Sequence, residues 1–209
     1  MEKERWKPGT MIYPLPAVMV SCGTADEGYN IVTVAWTGIV NTNPAMCYIS
    51  LRKSRYSHGI ITKNGDFVIN LTTRRLAFAT DWCGVKSGRD VDKFKEMNLH
   101  PAIADKVKAP LIAESPINLE CVVTEIKELG SHDMFLAEIV AVHGDRKYLN
   151  NETGAFDLSK AEPIAYAHGK YFVLGDFVGK FGFSVQKKKK TSGRKKKLAN
   201  VKGKQRPGR

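Results

Sequence analysis

A mainly β fold with a few inserted helices, closing as a barrel, is what this sequence predicts, and three observations carry the prediction. Runs rich in β-branched and aromatic residues recur between residues 18 and 174. Helix-like stretches are fewer, and each is short. The strand runs are unevenly spaced, which suits a barrel better than a regular parallel βαβ repeat.

The elements follow in chain order. Residues 18–22 and 31–36 read as two strands, with Asp26-Glu27-Gly28 supplying a turn between them. Residues 46–51 form a third, set off by Asn43-Pro44, and 67–71 a fourth. Ser54 stands where it can cap a helix over 55–63, which Asn64-Gly65 would stop. Thr72 or Thr73 can cap a second helix through Leu76-Ala77-Phe78-Ala79, and 91–97 reads as a short amphipathic helix. Two longer strands cover 117–126 and 135–142, and 171–174 is a short last one.

Composition sets the outer limits. The chain has 209 residues, 43% of them apolar, enough for one domain with a real core. The net charge of +12 is local: twelve of the 33 Lys and Arg residues lie in 185–209, a segment without Asp or Glu. The remainder balances 21 basic against 21 acidic residues. Residues 1–184 are therefore expected to form the folded domain, and 185–209 a Lys/Arg-rich disordered tail. No apolar run approaches the roughly 18 residues of a membrane span. The charged opening, Met1 to Trp6, lacks the apolar stretch of a secretory signal, so a cytoplasmic location is expected. Cys22, Cys47, Cys83 and Cys121 form no CxxC pair, which predicts free thiols and no metal site.

One stretch carries the clearest chemistry. In Leu51-Arg52-Lys53-Ser54-Arg55-Tyr56-Ser57-His58 a strand ends and a helix begins. A helix start offers unpaired N–H groups and partial positive charge; Ser54 and Ser57 add hydroxyls, and Arg52 and Arg55 add guanidinium forks. The stretch reads either as a phosphate site or as a capped surface helix with ordinary basic residues. Thr33-Val34-Ala35-Trp36-Thr37-Gly38 reads either as an aromatic wall for a flat ligand or as a core Trp before a turn. Gly130-Ser131-His132-Asp133 falls at a hairpin tip, where His132 is a ligand donor, a proton shuttle or a plain turn residue. GxGxxG, GxSxG, HExxH and EF-hand patterns are absent, and residues 175–181 fail as a Walker A loop.

Taken in order, these stretches resemble the flavin-reductase-like, FMN-binding split-barrel family, including its flavoredoxin-like members. The landmarks are residues 30–38, Asn43-Pro44, 52–58, 65–71, Asp92-Lys93-Phe94, 130–139 and 171–175. The resemblance implies a six-stranded split barrel, a homodimer, and FMN near the subunit interface. It implies that Arg55, Ser57 and His58, beside Ser54, hold the phosphate, and that Trp36, Thr37, Ser50 and Arg52 line the flavin ring. Lys93, Phe94 and His132 would complete the pocket, with Tyr171 a further candidate. The expected activity is electron transfer through bound flavin from NADH, NADPH or a protein donor. The alternatives are a non-enzymatic FMN carrier and, in another class, nucleic-acid binding through the tail. That tail is read first as a solvated extension.

Overall fold

Fifteen short elements are ordered along the chain of this computed structural model, which describes residues 1–186. They are β1 (Leu15–Pro16), β2 (Val18–Thr24), β3 (Gly28–Val34), β4 (Thr37–Thr42), β5 (Ala45–Leu51), α1 (Tyr56–Asn64), β6 (Asp66–Leu71), α2 (Ala77–Val85) and α3 (Lys93–Glu96). There follow β7 (Pro101–Ala102), β8 (Leu111–Ile112), β9 (Ile117–Glu128), β10 (Asp133–Gly144), β11 (Ile164–Ala167) and β12 (Lys170–Val173). Short 3-10 turns connect some of them. Met1–Gly175 make one compact unit; a second begins at Asp176 and shows one 3-10 turn, Phe183–Val185. Apart from its first two residues, the segment 185–209 lies outside the described residues.

The main sheet runs β3-β2-β6-β9-β10-β5-β4, antiparallel throughout. Its two edges, β3 and β4, are consecutive in the chain and joined only by Ala35-Trp36. The Ser50 N–H donates to the Trp36 carbonyl at 2.9 Å, so the β4–β5 ladder continues into that joint and the sheet curls closed. Seven strands are counted where six were expected; the added strand is β4, which follows the bend at Ala35-Trp36.

Alternation along the strands makes the core. Val18, Val20, Cys22, Val32, Val34, Cys47, Ile49, Leu51, Phe67, Ile69, Phe135 and Ala137 point inward at every second position, and Ile61 of α1 packs with them. The opposite face of β2 and β3 is also buried: Met19 and Ile31 pack against Leu76, Ala79 and Cys83 of the α2 region and Phe94 by α3. That double burial is why β2 is buried at every position from Val18 to Gly23. Register shifts in β10, between Leu136 and Ala137 and between Ile139 and Ala141, bend it around the barrel.

Several local expectations need correcting. Ser54 does not cap α1. Residues 52–55 form a turn, with the Arg55 N–H on the Arg52 carbonyl at 3.0 Å, so Arg55 takes the cap position without a side-chain bond. Gly65 ends α1 as expected, in the left-handed region at φ 74°. Thr73 precedes the 3-10 turn Arg74–Leu76 but makes no cap bond, and α2 starts only at Ala77. The helix expected over 91–97 is a single turn capped by Asp92. Thr37 and Gly38 belong to β4, not to a turn.

Candidate functional site

The chemistry gathers where α1 starts. A cleft of about 310 Å³ is lined by Asn30 and Val32 of β3, residues 52 and 54–57, the loop 85–89 and Lys93. Among these described residues are five cations, Arg52, Arg55, Lys86, Arg89 and Lys93, and no carboxylate. Its floor is the first turn of α1, where N–H groups lack intrahelical acceptors. Ser57 is buried there, its Oγ accepting from Asn30 Nδ2 at 2.8 Å. The loop 85–89 can close on β3 only because residue 88 is Gly: a Cβ at that position would stand 2.1 Å from Asn30 Oδ1.

Three of the cations, Arg55, Arg89 and Lys93, are held in place. Arg55 donates to the Gly84 carbonyl at 3.0 Å. Arg89 reaches the Ser54 carbonyl at 3.4 Å and lies over the Tyr56 ring, 5.3 Å from its centroid. Lys93 is buried, and its Nζ donates to the carbonyls of Ile31 and Cys83, both at 2.7 Å. An ammonium has three donors, so one proton remains for the cleft. Burial lowers the Lys93 pKa, opposed by Cys83 and reinforced by the Arg55 charge. Burial also pushes the thiols of Cys22 and Cys83 up to about 12 and about 11, so neither supplies a thiolate at neutral pH.

A second cavity, of about 190 Å³, adjoins the first through Val32, Arg52 and Arg55. It is bounded by residues 32–36, Ser50, Leu51, His132 and Tyr166. Trp36 sits at the β3–β4 joint and is 38% exposed, so it is not a core residue. Its ring meets that of His132, centroids 4.4 Å apart and planes tilted by 36°. Burial, together with Arg52 and Arg55, lowers the His132 pKa and favours the neutral ring. The whole is a trough with a cationic end and an aromatic end.

Of the residues expected from the sequence, Arg52, Ser54, Arg55, Ser57 and Lys93 meet in the first cavity, and Trp36, Ser50, Arg52 and His132 in the second. Four expected side chains are directed elsewhere. Thr37 is buried in the sheet and its hydroxyl donates to the Tyr48 carbonyl at 2.6 Å. His58, one helical step past Ser57, turns away to pair with Asp133 at 2.8 Å, edge-on to Phe135. Phe94 is core, packed edge-on against Tyr29. Tyr171 donates to Asp81 at 3.2 Å, and burial, with Asp81 beside it, pushes its pKa up to about 12. Asn30, Tyr56, Tyr166 and the loop Lys86-Ser87-Gly88-Arg89 were not expected. Only that loop carried a readable signal, two cations around Ser-Gly.

Asp105, Glu120 and His143 lie close enough to suggest a metal, but Glu120 is already satisfied. It accepts from the N–H groups of Asp105 (2.8 Å), Lys106 (2.6 Å) and Val107 (3.1 Å), and pairs with His143 Nε2 at 2.5 Å. No helix among the described residues is long and apolar enough to cross a membrane.

Comparison with known proteins places the fold. Flavoredoxin of Desulfovibrio vulgaris (Miyazaki F) superposes with a TM-score of 0.81 at 30% identity, covering 88% of this chain and all of that one. Flavoredoxin from Methanosarcina acetivorans gives 0.79 at 30% identity, over 89% of this chain and all of its own. An uncharacterized protein of Archaeoglobus fulgidus is 33% identical over 135 residues, 64% of this chain and 75% of its length. Residues 10–175 match the model of the flavin reductase like domain, and the chain belongs to that family.

Proposed function

We propose that this protein binds FMN along the trough, phosphate at the start of α1 and ring between Trp36 and His132, and passes electrons through it. The observation that carries this reading is the cleft's five cations without a carboxylate, joined directly to an aromatic-walled cavity. A phosphate dianion suits that donor set: guanidinium forks, the remaining proton of Lys93 and the free N–H groups of a helix start. One compact anion site suits a monophosphate. Flavin, when bound, supplies the redox chemistry. The protein's own residues then bind, orient and tune. Arg52 spans both cavities, where its charge favours extra electron density on a ring beside it. His132, kept neutral, can accept a hydrogen bond at an imidazole nitrogen without adding a competing cation.

The reading includes enzymatic use of NADH or NADPH as donor. It also includes a homodimer, supported by Ile39 and Val40, exposed on β4 close to Trp36. Four unpaired buried cysteines suit a reducing, cytoplasmic setting. Anaerobic addition of NADH and then NADPH to the FMN-loaded protein tests the enzymatic part. Rapid bleaching of the flavin bands is the expected result. Bands that persist with both nucleotides would make the protein a carrier reduced by another protein.

A further inference from the structure

Two neighbours on α1 serve different parts of the molecule. Ser57 lines the cationic cleft, while His58 is turned toward the end of the β9–β10 hairpin. There His58 Nε2 donates to Asp133 Oδ2 at 2.8 Å. Asp133 is 3% exposed and opens β10, opposite Leu51 of β5 and Glu128 of β9. Its other charged contact among the described residues is Lys53 Nζ at 3.8 Å, an exposed ammonium that lies closer to Glu128, at 2.8 Å. His58 is therefore the group that satisfies this buried carboxylate. Beyond Asp133 the two ladders stop, and residues 129–132 form a turn closed by the Leu129 N–H on the His132 carbonyl at 3.0 Å. The bonds Lys53–Glu128 and Ser131–His132 at this hairpin end are exposed; His58–Asp133 is the one shielded from water.

Asp133 and His132 share a peptide bond, and their side chains diverge: Asp133 runs to α1, His132 to the Trp36 ring, 4.4 Å away between centroids. Removing His58 would strand the Asp133 carboxylate in apolar surroundings beside Phe135. An unpaired buried charge is costly, so Asp133 would swing toward water and carry His132 with it. We propose that His58 is a positioning residue: through Asp133 it holds His132 against Trp36, and so shapes the aromatic end of the trough from the helix that floors the cationic end. What His58 does for a ligand then lies at the ring and not at the phosphate, an assignment that rests on reading the trough as a flavin site.

The direct readout is the His132 imidazole resonance in the full chain carrying isotope-labelled histidine. The Trp36 ring current shifts that resonance, and Trp36→Ala identifies it. His58→Leu is expected to remove the shift, and His58→Gln, which returns an N–H donor near the Nε2 position, to restore it. Asp133→Ala cuts the same link without stranding a buried charge, so it serves where His58→Leu fails to fold, and it too should remove the shift. A His132 resonance that stays in place in a folded variant would overturn the proposal. Fluorescence titration gives the second readout. His58→Leu should weaken FMN and riboflavin alike, by about three- to tenfold, with no further loss when His132→Ala is added. A loss confined to FMN would make His58 a phosphate ligand and overturn the proposal as well. Displaced resonances with neither flavin bound by the wild type would remove the flavin reading and leave the link from His58 to His132 standing. Flavin bound with resonances undisturbed would remove the link alone.

Discussion

One guanidinium nitrogen of Arg55 donates to the Gly84 carbonyl at 3.0 Å, tying the start of α1 to the last turn of α2. The carbonyl end of α2 is partially negative and the amide end of α1 partially positive, so this single side chain bridges two dipole ends. It also fixes the cation before any ligand arrives. Arg55→Met should weaken FMN binding by about 10- to 100-fold, the equivalent of one lost charge-assisted contact. The side chain is exposed, so the melting temperature should hardly move. Flavin-fluorescence titration beside thermal unfolding separates the two effects. Equal losses in both would make Arg55 a structural residue.

Gly88→Ala is expected to disturb the same region from inside. The new Cβ would stand 2.1 Å from Asn30 Oδ1 and 2.6 Å from its Cγ, and Asn30 holds Ser57 at 2.8 Å. Overpacking of this kind costs about 1–3 kcal/mol. Urea unfolding should show that loss, with weaker FMN binding beside it. A variant as stable as wild type would mean that the loop 85–89 moves freely off β3.

Trp36→Ala tests the other end of the trough. Loss of a ring contact should weaken flavin binding about three- to tenfold. Riboflavin and FMN should suffer alike, because Trp36 lies away from the cationic cleft. A loss confined to FMN would place the ring elsewhere.

Glu120 gives a pH dependence. Burial alone would raise its pKa, but the Asp105 N–H, the His143 ring and the Lys106 N–H together bring it below the ordinary 4.5. A carboxyl whose folded value is depressed stabilises the fold above its unfolded value. That stabilisation is lost as pH falls through the folded value. Unfolding free energy should therefore drop below pH 4.5 in the wild type. Glu120→Gln, which puts an amide against those N–H donors, should cost about 3 kcal/mol at neutral pH and flatten the acid limb. Urea titrations from neutral to acid pH would show whether the two profiles differ.

What the sequence disclosed, and what it hid, follows from how local each signal is. The barrel strands were legible because β-branched residues alternate inward and outward, and Gly65 marked the end of α1 by its left-handed backbone. β4 was not, because Thr37-Gly38 carries turn chemistry while the pairing to Ile49 and Tyr48 that makes it a strand comes from a later segment. Arg52, Arg55 and Ser57 were legible because one strand-to-helix junction delivers all three. Asn30 sits inside a strand and Lys86 to Arg89 follow α2, so only the fold brings them to that junction. Phe94 shows the reverse: it neighbours a cleft lysine in sequence, yet faces the core.

The most direct test compares FMN with riboflavin, which lacks the phosphate, by fluorescence titration of the purified full-length protein. If the cationic cleft reads the phosphate, FMN should bind at least about 100-fold tighter, as two or more charge-assisted contacts require. Equal affinity for the two, or no binding of either, would contradict the assignment of this cleft to a flavin phosphate.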